Sequence, residues 1–172
     1  MKIANIKLRG SVGYTLIEIL IVVSIIVLFT GLSLAYYRGF DEQRKLDAET
    51  KQLIDILNLA EKKSVAADLS PLGLNPSCSD FRGYWVSLTG TSYSLKLNCA
   101  GVDTLIQTYT LGSGMTLLVS DATVTDILFK PLYSGTNLST PISVTLTNSS
   151  NNKCTKIQIN PVGTVEQLPN CQ

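Results

Sequence analysis

The sequence contains no histidine, which removes the commonest general base and the commonest metal ligand from any catalytic account. Its four cysteines, Cys78, Cys99, Cys154 and Cys171, include no C-x-x-C pair, so neither a zinc site nor a redox dithiol is supported. A G-x-S-x-G elbow and a phosphate-cradling glycine loop are also missing. Net charge is close to absent, with fourteen Lys and Arg against thirteen Asp and Glu. From Asp68 onward, five basic residues stand against six acidic ones, and the final "VEQLPNCQ" has no Lys or Arg. That balance gives no electrostatic reason to expect a nucleic acid partner. Together these deficits make an enzyme the weakest class and imply no cofactor and no metal.

What is present is unevenly placed. Lys2, Lys7 and Arg9 all precede Gly13, and the rest of the chain carries eleven basic against thirteen acidic residues. The early basic residues therefore read as an address and not as a binding surface. Next comes "LIEILIVVSIIVLFTGLSLA", Leu16 to Ala35, twenty residues with one charge, Glu18. At about 1.5 Å of rise per residue this run matches the roughly 30 Å hydrocarbon core of a bilayer. The expectation is a membrane-spanning helix that meets lipid.

The polar continuation keeps good helix formers, with no proline until Pro71. Phe40, Leu46, Leu53, Leu57 and Ala60, with Ile54 beside them, form one apolar stripe. One helix is expected from about Tyr14 to about Ala67, apolar all round in its first half and on one side only in its second. Pro71, Gly73 and Pro76 then break the pattern. Beyond them the period becomes two, in "GYWVSL", "SYSLKL", "LIQTYT", "MTLLVS", "TDILFK", "ISVTLT", "TKIQI" and "GTVEQL".

The expected fold class is therefore α+β: a long N-terminal helix packed on an antiparallel head of seven or eight short strands between residues 80 and 169. The organisation follows as a leader over 1–13, an apolar helix over 14–35, an amphipathic helix over 36–67 and a head over 68–172. Trp85, Tyr84 and Tyr93 fall within strand patterns and are read as core. Asp121 and Asp126 are read as solvent-facing strand flanks, and the sequons at Asn137 and Asn148 as polar loops.

Hairpin arithmetic sorts the cysteines. The turn signal Pro161 to Gly163 lies near the middle of "CTKIQINPVGTVEQLPNC", which brings Cys171 opposite Cys154. The turn at Thr89 to Thr91 brings Cys99 back toward Cys78. Of the three connectivities, Cys78 to Cys99 and Cys154 to Cys171 are expected, outside the cytoplasm.

Glu18 is the physical oddity. A carboxylate in hydrocarbon costs on the order of 3 kcal/mol or more, so it needs a partner or a route to water. A cut between Gly13 and Tyr14 would supply one, because the new ammonium group lies four residues before Glu18, on the same helical face. A short basic leader, Gly13, aromatic Tyr14 and "TLIEILIVVSIIVL" resemble the prepilin signal of type IV pilins and type II secretion pseudopilins. The long helix, "FRGYWVSL" and the terminal hairpin "KIQINPVGTVEQ" are similar to minor pseudopilins of the GspH/FimT type.

The resemblance implies a structural role, as a minor subunit of a type IV pilus or a type II secretion pseudopilus. It further implies cleavage after Gly13 by a membrane aspartyl prepilin peptidase, N-methylation of Tyr14 by the same enzyme, and assembly with other pilins or pseudopilins guided by Glu18. The protein would sit in the bacterial inner membrane as a single span with its head outside the cytoplasm, then in a periplasmic or extracellular filament. The family usually has phenylalanine where this chain has Tyr14. Many major pilins have a proline where this chain has Ala35, and Gly31 is the nearest helix-weakening residue, so the family's local helix melting would centre there. Two rival readings compete: an ordinary secretory signal cut after Ala35 at the small pair Ser33 and Ala35, and an uncut membrane anchor for a β-rich adhesin or binding domain.

Overall fold

A computed structural model describes residues 13–72, 78–132, 135–169 and 171, with the side chains of 32–39 and 72 outside the description. Helix α1 runs Leu16–Val65, and a short 3-10 turn follows at Ser70–Leu72. Among the described residues, eight strands complete the order: β1 Phe81–Leu88, β2 Ser92–Cys99, β3 Val102–Thr110, β4 Met115–Val119, β5 Asp126–Phe129, β6 Ile142–Asn148, β7 Lys153–Ile159 and β8 Val165–Leu168. They form two four-stranded antiparallel sheets, ordered β3-β2-β1-β5 and β4-β6-β7-β8. The fold is α+β, with every strand where alternating hydrophobicity places one.

The chain divides into two compact units, Met1–Gly39 and Phe40–Gln172. In the larger unit, one core is shared by α1 and both sheets. Buried positions on α1 fall at Leu46, Thr50, Leu53, Leu57, Ala60 and Ser64, with Ile56 beside them. Those steps of three and four residues are one helical face. The sheets meet that face with period-two sets such as Tyr84, Val86 and Leu88 on β1 and Ile142, Val144 and Leu146 on β6. Fully burying a side chain of Leu, Ile or Val size contributes about 1.5 to 3 kcal/mol, so this shared core is the main force holding helix to sheets.

Two hydroxyls interrupt the apolar face, and each has a reason. The Thr50 hydroxyl donates to the Leu46 carbonyl at 2.7 Å, within its own helix. Ser64 Oγ accepts the Tyr84 N–H at 2.9 Å, which ties the end of the helix to β1. Further along, Gly112 N–H donates to Glu49 Oε1 at 3.3 Å, and Asn148 Nδ2 donates to Glu42 Oε2 at 3.0 Å. Asn148 is fully buried at the end of β6, a correction to its reading as a loop residue: its amide nitrogen fastens β6 to the helix and its oxygen accepts the Ser150 N–H at 2.9 Å. Phe40 is also corrected. It is 56% exposed instead of joining the stripe, and its ring lies under the Arg44 guanidinium at 4.6 Å.

Helix α1 ends in a Schellman arrangement. Asp68 N–H bonds to the Lys63 carbonyl at 3.0 Å and Ala67 N–H to the Ser64 carbonyl at 3.1 Å, with Ala67 in the left-handed region at φ 49°. The Lys63 ammonium then pairs with the Asp68 carboxylate, which also accepts the Ser70 N–H at 2.9 Å. The Lys63 hydrogen bond, then those from Ser70, hold the Asp68 carboxyl down at about 2. A depressed carboxyl stabilises the fold above the unfolded carboxylate range and loses that contribution as pH falls through its folded value. Asp68→Asn should therefore lower stability by on the order of 1 kcal/mol at pH 6, after allowance for solvent screening. In urea titrations, the gap between variant and wild type should shrink as pH falls from about 4 to 2. A gap that does not change with pH would remove the ion pair from this account.

Both disulfides join the ends of hairpins. Cys78 bonds Cys99 with Cα atoms 5.6 Å apart, and Cys154 bonds Cys171 at 5.5 Å. The first hairpin turns where Thr89 N–H meets the Ser92 carbonyl at 2.8 Å, the second where Gly163 N–H meets the Asn160 carbonyl at 2.9 Å. Gly83 lies at a bulge in β1 with φ 122°, and a Cβ there would fall on the Phe129 carbonyl.

Candidate assembly surface

Gly13, Tyr14 and Thr15 have no regular secondary structure and are exposed. The helix starts one residue later because Thr15 caps it. Its hydroxyl accepts the Glu18 N–H at 3.3 Å, and its carbonyl accepts the N–H groups of Glu18 at 3.1 Å and Ile19 at 3.3 Å. The spacing Thr15-x-x-Glu18 is that of a capping box, and it puts a carboxylate in the first turn, where the helix dipole favours one. Glu18 is the one charge between residues 16 and 31.

Around it the surface is apolar on every side. Thirteen large apolar side chains from Tyr14 to Phe29 are exposed, from 48% at Ile25 to 83% at Leu16. Covering each would gain about 1 kcal/mol or more. The sum exceeds about 10 kcal/mol, comparable to the whole stability of a domain. A helix apolar on all sides is one whose surface other apolar groups normally cover. Its hydroxyls suit that setting, since Ser24 donates to the Leu20 carbonyl at 2.8 Å and Thr30 to the Ile26 carbonyl at 2.6 Å. Tyr14, Glu18, Ile19, Val22 and Val23 line one open groove along it.

Among the described residues no helix is long and apolar enough to cross a membrane. The described part of the apolar run covers residues 16–31, short of the roughly 20 residues a span needs. The remainder of the expected span, Leu32 to Ala35, has side chains outside the described residues, as do Lys2, Lys7 and Arg9 of the expected leader.

Gly13 is not required by its surroundings. A Cβ there would meet nothing within 4 Å, and its φ lies outside the left-handed region. The same holds for Gly31, which in a helix interior costs about 1 kcal/mol relative to alanine.

The remaining candidates have structural work. Tyr84 and Tyr93 are buried in the core. Trp85 is only half-buried and lies on the opposite face of its sheet, in register with Lys96 and Leu128, which corrects its reading as core. Asp121 accepts the Thr123 N–H at 2.9 Å and its hydroxyl at 2.6 Å, a closed local turn that lowers its carboxyl pKa. Asn137 bonds both Leu128 N–H and the Asp126 carbonyl, standing in for a strand beside β5. The groove between α1 and the β3–β4 loop is lined by charges already paired, with Lys45 2.9 Å from both Asp41 and Glu42. Among the described residues, no group of three or more His, Cys, Asp or Glu could hold a metal ion.

No family model and no curated protein matches the sequence. A solved structure resembles this one. It is the minor pseudopilin EpsH from the Type 2 Secretion System of Vibrio cholerae, at 9% identity and a TM-score of 0.48, covering 72% of this chain and 96% of that one. At that level the likeness decides nothing about activity, so the functional reading rests on the residues themselves.

Proposed function

We propose that the chain is a structural subunit, a minor pilin or pseudopilin, of a type IV pilus or a type II secretion pseudopilus. The observation that carries the reading is the N-terminal pattern. An exposed, irregular Gly13–Tyr14 bond immediately precedes a capped helix that is apolar on all sides and holds a single carboxylate in its first turn. A prepilin peptidase cuts that bond and methylates Tyr14. The helix, anchored in the inner membrane through residues 14–35, then leaves lipid for the helices of neighbouring subunits. Glu18 gives that transfer a register, because its desolvation is relieved only beside a cation. The head stays outside the cytoplasm, where its two disulfides persist.

The rival secretory cut after Ala35 would fall inside the unbroken helix Leu16–Val65, away from any extended segment. Intact mass and N-terminal sequencing of the protein recovered from membranes separate the readings. A chain beginning at methylated Tyr14 is the expected result. A start at Tyr36 would replace the filament subunit with a secreted domain, and an uncut Met1 would replace it with an anchored adhesin or binding module.

A further inference from the structure

We infer that Thr15 is a positioning residue for the cut: by capping α1 it holds the Gly13–Tyr14 peptide bond in irregular, exposed backbone ahead of the first helical turn. The inference rests on the reading of Gly13–Tyr14 as the cleavage site.

The hydroxyl residues of this unit do two different things. Ser24 and Thr30 bond backward to carbonyls four residues earlier, which leaves the helix around them continuous. Thr15 bonds forward, to the N–H of Glu18, which ends the helix on its N-terminal side. Upstream the structure leaves Gly13 and Tyr14 with no secondary structure, and among the described residues no side chain crowds the position of a Gly13 Cβ. Hydrolysis adds water to the Gly13 carbonyl carbon, breaks the bond to the Tyr14 nitrogen, and leaves a carboxylate on Gly13 and an ammonium on Tyr14. That requires the carbonyl to present both faces to the peptidase. In a helical turn the carbonyl would instead point along the axis into the ladder of backbone bonds. Without the cap, nothing but propensity fixes the start of the helix, and the apolar surroundings expected at a membrane surface favour backbone bonded to itself. The start then slides toward Gly13, and the bond to be cut is drawn into the first turn.

The test uses the full-length precursor in membranes with a prepilin peptidase, following cleavage over time by mass. Thr15→Val keeps the shape and removes the acceptor, while Thr15→Ser keeps the acceptor. Valine should slow cleavage about fivefold, in line with the loss of one N-cap, and serine should stay within about twofold of wild type. Hydrogen exchange on the same precursors should show the valine variant gaining protection at Ile17, whose N–H would bond the Gly13 carbonyl, with protection in the head unchanged. Cleavage of the valine variant at or above the wild-type rate would overturn the positioning role while leaving the cut site standing. A wild-type precursor that is never cut at Gly13 would bring down both.

Discussion

Glu18→Ala should leave cleavage at Gly13 within about twofold of wild type and reduce incorporation into sheared filaments by at least tenfold. The processing half follows from geometry, since the scissile bond lies in irregular backbone and the Thr15 cap accepts the backbone N–H at residue 18, which alanine retains. The assembly half follows from charge. When the apolar helix moves into a packed bundle, a lone ammonium at Tyr14 of a neighbouring subunit loses water and needs a carboxylate. Leaving one member of such a pair unmatched costs at least about 1.4 kcal/mol, which is tenfold in an equilibrium. Quantifying subunit in the sheared fraction against the membrane fraction decides the matter, with Glu18→Gln as a variant that keeps shape and hydrogen bonding without charge. Unchanged incorporation of both variants would remove the docking role of the Glu18 carboxylate.

The second large effect is expected at Gly83. Its φ of 122° is a conformation that side chains rarely adopt, and an added methyl would meet the Phe129 carbonyl across the β1–β5 pair. Backbone clash and backbone strain act together here, so relief requires β1 to separate from β5. Gly83→Ala should cost about 3 kcal/mol or more, read as a fall in the urea midpoint of the oxidised protein. Gly90→Ala is the control, since a Cβ there meets nothing within 4 Å and φ is ordinary. Equal losses in both variants would show that Gly83 contributes only its backbone entropy.

The elements themselves were legible because each buries one face against a shared core. Alternation in "ISVTLT" and steps of three and four from Leu46 to Ala60 are direct consequences of that burial. The hairpin disulfides were legible for a related reason, since a turn near the midpoint fixes which residues return to each other. Strand partners were not. β5 reaches back to β1, and β4 pairs with β6 across it, and no local pattern encodes either choice. Thr50 and Ser64 are not legible as core because a polar residue inside a stripe looks like its interruption, when each hydroxyl has a nearby backbone partner. Phe40 went the other way, spaced like a core residue but lying at the edge of the larger unit. At the candidate site, the unusual charge and the glycine before it stood out in the sequence. The Thr15 cap is equally present in the Thr-x-x-Glu spacing, but the same four residues also fit a carboxylate placed to meet an amine, and spacing alone does not separate the two.

The two cross-links span 21 and 17 residues of chain, and both lie wholly on the strand side of the larger unit. Neither one connects α1 to the sheets. In the proposed filament, force entering along the helix would pass to the sheets through the packed face from Leu46 to Ala60, the hydrogen bonds at Glu42, Glu49 and Ser64, and the backbone that leaves α1 at Val65. The covalent staples keep each hairpin's shape without reinforcing the packed contact between helix and sheets, so overload would peel that face apart with both disulfides still closed and only the backbone after Val65 holding the two together.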